Sequence, residues 1–159
     1  MRYKAGWLVQ NHILALTHFE PVVTMEDFRD IAADAHMALQ EATQPLHLLI
    51  DNRIIAERTV ATLDSMLNAL PILQHAHLRW IVVVLPEAVK ETAAARQVER
   101  HGSIQLKFTD SLASAFQHLA REDDRIDGAA GMESSWSDWI SYKDNPVATG
   151  EERGARGRV

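Results

Sequence analysis

Apolar residues in this chain follow two rhythms. Short runs alternate or are unbroken, and between them come longer stretches with apolar positions every three or four residues. This is the pattern of strands connected by amphipathic helices. Gly6–Gln10 and His12–Phe19 open the chain as two strand-like runs around Asn11, a residue type that tolerates the positive φ of a tight turn, and a hairpin is expected. In the second run Ile13, Ala15 and Thr17 share one face and Leu14, Leu16 and His18 the other, so at least the leucine face is expected to be buried.

Thr24, with Asp27 three residues on, predicts a capped helix to about Thr43 whose stripe is Met25, Phe28, Ile31, Ala32, Ala35 and Leu39. Leu46–Asp51, bounded by turn formers, reads as a central strand covered on both faces. Thr59 is read as the cap of a second helix carrying the stripe Val60, Leu63, Met66, Leu67 and Leu70, which Pro71 ends. Leu78–Leu85, with Trp80 and three consecutive valines, is the strongest strand. Pro86 is suited to open a third helix running to about Arg100, with His101-Gly102 as its stop signal. Ile104–Phe108 predicts a last strand, and Asp110 caps a helix striped by Leu112, Ala115, Phe116 and Leu119.

The expected order is β-β-α-β-α-β-α-β-α, an α/β domain with a five-stranded mixed sheet and about four helices over residues 1–121. Residues 122–159 begin with Glu122-Asp123-Asp124, are rich in glycine and acid, and are expected to be largely disordered. An aromatic island, Trp136, Trp139, Ile140 and Tyr142, predicts a short helix around 135–142, docked on the domain or on a partner.

Composition narrows the function. Of 159 residues, 47% are hydrophobic and 24% charged, ordinary values for a globular domain. There is no cysteine, which excludes disulfides, thiolate metal sites and thiol nucleophiles. Residues 122–159 hold 9 acidic and 5 basic side chains, so most of the net charge of −6 sits there and the domain is near neutral. Without a basic face, nucleic acid is not an expected partner. The N-terminus lacks a secretory apolar stretch, and the longest apolar run, Ile81–Pro86, is too short to span a bilayer. A cytoplasmic address without a transmembrane segment is expected.

Leu46–Asp51, Thr59–Leu70 and the closing run Phe108-Thr109-Asp110-Ser111-Leu112-Ala113-Ser114-Ala115-Phe116 give an element order that resembles the STAS-like fold of bacterial anti-sigma-factor antagonists. It is most similar to the STAS-like group also compared with CRAL-TRIO lipid-carrier domains. The resemblance covers about residues 5–121 and implies a regulatory signalling module that binds a protein partner, or alternatively a carrier or sensor of a small lipid-like ligand. In the antagonists a strand ends in Asp, and a later Asp-Ser-Ser/Thr-Gly run carries the phosphorylated serine. Asp51 matches the first feature. Arg58-Thr59-Val60-Ala61 occupies the region of the second without its acid, serine or glycine, and Thr59 alone offers a hydroxyl.

Ligands of open α/β sheets sit beyond the carboxyl ends of the strands. That rule selects Asp51, Asn52, Arg53, Glu57, Arg58 and Thr59 as the candidate interaction surface. A phosphate on Thr59 would face a helix N-terminus and Arg58. His75 and His77 alternate as metal ligands can, yet no third ligand stands at a suitable spacing. His47 reads as a hydrogen-bonded core histidine. There is no nucleophile elbow and no phosphate-cradling glycine loop. The expectation is therefore a module without catalytic residues, metal or cofactor; the apolar stripe of the second helix is read as core, with a small apolar ligand between that helix and the sheet as the alternative.

Overall fold

The computed structural model of the chain describes residues 2–141. Its strands are β1 (Tyr3–Val9), β2 (Ile13–His18), β3 (Leu46–Asp51), β4 (Leu78–Val84), β5 (Glu99–His101) and β6 (Ile104–Thr109). The helices are α1 (Met25–Gln40), α2 (Leu63–Ala69), α3 (Leu112–Glu122) and α4 (Ala129–Ser141), with 3-10 segments at Pro71–Leu73 and Glu87–Ala95. All six strands form one sheet in the order β1-β2-β3-β4-β6-β5. The four inner strands are parallel, and β1 and β5 close the two edges as antiparallel partners. The mixed α/β class holds, while the expected five strands are corrected to six among the described residues.

The extra strand comes from a misread glycine. Gly102, taken for a helix stop, has φ 59° and makes the β5–β6 hairpin turn. A left-handed glycine serves both purposes, so the sequence signal is degenerate. The third helix is corrected too: 87–95 winds as a 3-10 segment, with Val89 N–H donating to the Pro86 carbonyl and Arg96 N–H to that of Ala93.

Of the three expected caps, the structure keeps one and moves two. Thr24 does close a capping box with Asp27, as expected. The second helix starts at Leu63, not after Thr59: the Thr62 hydroxyl accepts from Ser65 N–H, and the Glu99 carboxylate takes the Leu63 N–H at 2.9 Å. Likewise Ser111, not Asp110, caps α3, and Asp110 holds the Ser114 hydroxyl instead. Asn11 makes the predicted turn, with φ 64°.

Because β2, β3, β4 and β6 follow one another in a single direction across the sheet, right-handed crossovers put α1, α2 and the 3-10 segments on one face. That face buries Leu14, Leu48, Ile81, Val83, Leu106 and Phe108 against Leu39, Leu63 and Leu67. The other face buries Ile13, Leu49, Trp80, Val82 and Val84 against Ala115, Phe116 and Leu119 of α3 and Met132 and Trp136 of α4. Strand alternation thus serves both layers, and both faces of β2 are covered. The helix in the acidic stretch begins at Ala129, earlier than the expected 135, because Met132 precedes Trp136 by one turn and extends the same stripe. Tyr142 and the run 150–159 lie outside the described residues.

A second, polar pin holds the α3 end in place. His47 Nε2 is 2.8 Å from Asp123 Oδ2, and Arg125 binds the same carboxylate at 2.6 Å while donating to the Pro45 carbonyl at 2.7 Å. Arg125 and His47 together hold Asp123 well below the usual carboxylate range, and burial lowers His47. The histidine read as a core residue is one.

Candidate functional site

On the α1/α2 face the layers do not meet everywhere. A cavity of about 860 Å³ lies between the sheet and the helices. Its floor is sheet side chains, including Leu14, Leu16, Leu48, Ile50, Val83 and Phe108. Its roof is α1 through Phe28, Ile31, Ala35 and Ala38, and α2 through Met66, Ala69 and Leu70. The local sequence explains the gap. The inward stripe of α1 carries alanine at 35 and 38, where leucine would reach the sheet, and α2 has only 7 residues. The chain from Asn52 to Thr62 runs without regular structure and forms a wall through Asn52, Ile55, Glu57, Thr59, Val60 and Ala61. The volume falls in the range of small-molecule sites, roughly 300–1,000 Å³.

The expected apolar stripe divides in two. Leu63 and Leu67 are 1% and 2% exposed and pack in the core, whereas Val60, Met66 and Leu70 line the cavity.

The candidate surface also divides. Asn52, Glu57 and Thr59 line the cavity. Asp51 is 2% exposed and accepts from the Thr17 hydroxyl at 2.8 Å and from Arg53 Nε and Nη2 at 2.9 and 3.0 Å. With both oxygens engaged, it locks β2 to β3 and fixes the turn after β3. Arg53 is occupied by that pair, and the bond holds its pKa above the usual value. Arg58 is exposed and is not among the lining residues. Since Thr62 caps α2, Thr59 stands outside the helix, and a phosphate there would not meet a helix N-terminus.

Polar groups on the cavity wall are few. Asp34 is buried and accepts from the Tyr3 hydroxyl at 2.8 Å. His18, at the carboxyl end of β2, is also buried, and desolvation lowers its pKa although Asp51 and Asp27 oppose the change. At neutral pH it is an uncharged imidazole able to donate or accept one hydrogen bond. Gln10, Asn52, Thr59 and Ser65 complete the neutral polar lining.

His75 and His77 rings stand 5.6 Å apart, and among the described residues no group of three or more His, Asp or Glu is arranged to hold a metal ion. No described helix is long and apolar enough to cross a membrane.

Sequence reasoning missed the two tryptophans of the wall. Trp7 lines it from β1, and Trp139 reaches it from α4. Trp7 shares the β1 face of Tyr3 and Ala5, an alternation visible in the sequence had the first strand been started at Tyr3. No signal in the sequence placed Trp139 beside it. No family model, curated protein or solved structure matches the chain.

Proposed function

We propose that this chain is a non-enzymatic binding module that carries or senses a small apolar ligand in the cavity between its sheet and the α1/α2 layer. One observation supports the reading above the others: about 860 Å³ left unfilled inside an otherwise packed layer, walled mainly by leucine, isoleucine, alanine and aromatic side chains. Interiors are normally filled to the density of organic crystals, and a void of this size sacrifices dispersion contacts that an apolar guest restores. Among the described residues, no hydrogen bond joins one polar side chain of the wall to another, so none pairs a nucleophile with a base. These polar groups suit orientation of a guest better than reaction chemistry. The resemblance of the sequence pattern to the STAS-like group compared with lipid-carrier domains is in keeping with this proposal.

The test is native mass spectrometry of protein purified from its own host, with titration of N-phenyl-1-naphthylamine, an uncharged apolar fluorophore, into delipidated protein. A small adduct lost on denaturation and saturable dye binding are expected. An adduct-free protein that leaves the dye dark would refute the reading.

A second reading, a regulatory module that docks a protein partner, is favoured by an exposed apolar cluster at the carboxyl end of the sheet. Val22 and Met25 are 65% and 68% exposed, and Phe19, Val23 and Ile54 are exposed beside them. The two loops that carry this cluster are joined where Ala56 N–H donates to the Pro21 carbonyl at 3.0 Å. Clustered apolar side chains on a surface mark interaction sites more often than isolated ones do. Substituting Val22→Asp and Ile54→Asp removes the cluster without touching the core; capture of a partner from host lysate that is unaffected by both would reject this surface.

A further inference from the structure

We infer that the cavity selects against anions, so that its guest is an uncharged or amine-bearing amphiphile and not a fatty-acid carboxylate. The inference rests on the proposal that the cavity binds an apolar ligand, and it concerns the polar end of that ligand.

Three carboxylate side chains line the cavity, Asp34, Glu41 and Glu57, and among the described residues that line it there is no lysine or arginine. Cations close by are committed elsewhere. Arg53 is bound to Asp51, and Arg96 rests on the Phe108 ring, 5.4 Å from its centroid, with its Nε on the Thr92 hydroxyl. Lys4, buried on the α4 side of β1, donates to the Trp139 carbonyl and lies against the Trp139 ring. His18 is buried and its pKa is lowered, so it offers a hydrogen bond but no positive charge at neutral pH.

A carboxylate entering this space would lose its water and find no counter-charge, and burial of an unpaired ion is among the costliest events in a protein. Glu41 and Glu57 are exposed and line the cavity where it reaches solvent. They would repel an anion held at the rim, a weaker effect because salt screens it. A hydroxyl or carbonyl group escapes both costs, since His18, Asn52, Thr59 and Ser65 can hydrogen-bond to it. An ammonium group left at the rim meets attraction where the carboxylate meets repulsion.

Three probes with one chain length separate the causes: dodecanol, dodecylamine and dodecanoate, titrated into delipidated full-length protein at pH 7.5 below their aggregation concentrations. Occupancy is read by calorimetry and by the fluorescence of Trp7 and Trp139, both on the wall. Dodecanol and dodecylamine should bind within about threefold of each other and dodecanoate about tenfold or more weakly, a step of one decade in Kd. Glu57→Lys should recover about threefold or more of the dodecanoate deficit, and added salt should narrow the gap.

Dodecanoate binding as tightly as dodecanol overturns the selection while leaving the cavity proposal standing. Amine and carboxylate weakened alike overturn it too, because desolvation without charge sign would then suffice. If none of the three binds, the cavity proposal itself falls and this inference falls with it.

Discussion

Replacing Ala35 or Ala38 with leucine turns the cavity into a question with a sign. Both alanines lie on α1 with their side chains on the cavity wall. Each substitution adds three carbon atoms, worth about 0.8 kcal/mol apiece when fully removed from water, against a helix-propensity cost of a few tenths. If the space is open as described, each variant should gain between about 0 and 2 kcal/mol. In a filled core the same change would cost about 1–3 kcal/mol through forced rotamers and backbone shifts. Urea unfolding decides between these. With a slope of roughly 1–3 kcal/mol per molar, a gain of 1 kcal/mol moves the midpoint up by about 0.3–1 M at unchanged slope. Dodecanol titrated into the same variants should bind about tenfold more weakly, since the added branch occupies its place. A variant that loses more than 1 kcal/mol and still binds dodecanol as the parent does would refute both the cavity and its role.

Thr62→Ala should destabilise the protein by about 1 kcal/mol through loss of the α2 cap, while Thr59→Ala should stay within about 0.5 kcal/mol, and urea midpoints compare the two. Burial holds His118 at a pKa of about 4, edge-on to Trp80 with ring centroids 4.3 Å apart and Nε2 buried without a hydrogen-bond partner. The folded-state pKa is below the unfolded value of about 6.5, so the unfolded chain takes up the proton first and stability must fall as pH drops from 6.5 towards 4. The ceiling of that loss is roughly 1–3 kcal/mol, and His118→Phe should flatten the fall measured by urea unfolding at pH 7, 6 and 5. Trp136→Ala should cost about 3–5 kcal/mol, the value for a large aromatic lost from a core, read from the thermal midpoint with calorimetry.

The elements with redundant signals were legible in the sequence. Leu46–Asp51 is bounded by turn formers and densely apolar, and it is β3 to the residue. Thr24 and Asp27 act on each other, and α1 begins where they place it. Errors fell where one residue type has two uses. Gly102 ends helices and also turns hairpins, and three hydroxyl residues, Thr59, Thr62 and Ser65, compete to cap α2. Only the tertiary partner Glu99, 36 positions along the chain, marks Leu63 as the first helical residue. The candidate surface was found through a rule about sheets, and it reached the cavity wall at Asn52, Glu57 and Thr59. Its other members do different work. Asp51, chosen for its place at a strand end, proved to be a lock whose two oxygens are spent on Thr17 and Arg53.

The cavity itself was readable only in half. An apolar stripe tells which side of a helix faces inward, but whether that side touches the sheet depends on side-chain length at each position and on what neighbouring segments fill. Ala35 and Ala38 satisfy the stripe as well as leucine would, and they leave the layer separated. The same logic joins the acidic stretch to the site. With β1 at an edge, no described strand lies beyond it to keep the two layers apart. There α4, which packs Met132 and Trp136 on the far face, can bring Trp139 to the wall on which Trp7 stands. Buried Lys4, on the α4 side of β1, places its ammonium 4.8 Å from the centre of the Trp139 ring and donates to the Trp139 carbonyl, which fixes that end of the helix. A segment whose composition reads as a tail is therefore part of the container, because buried Met132 and Trp136, with Ala129, Trp139 and Ile140 packed beside them, dock it.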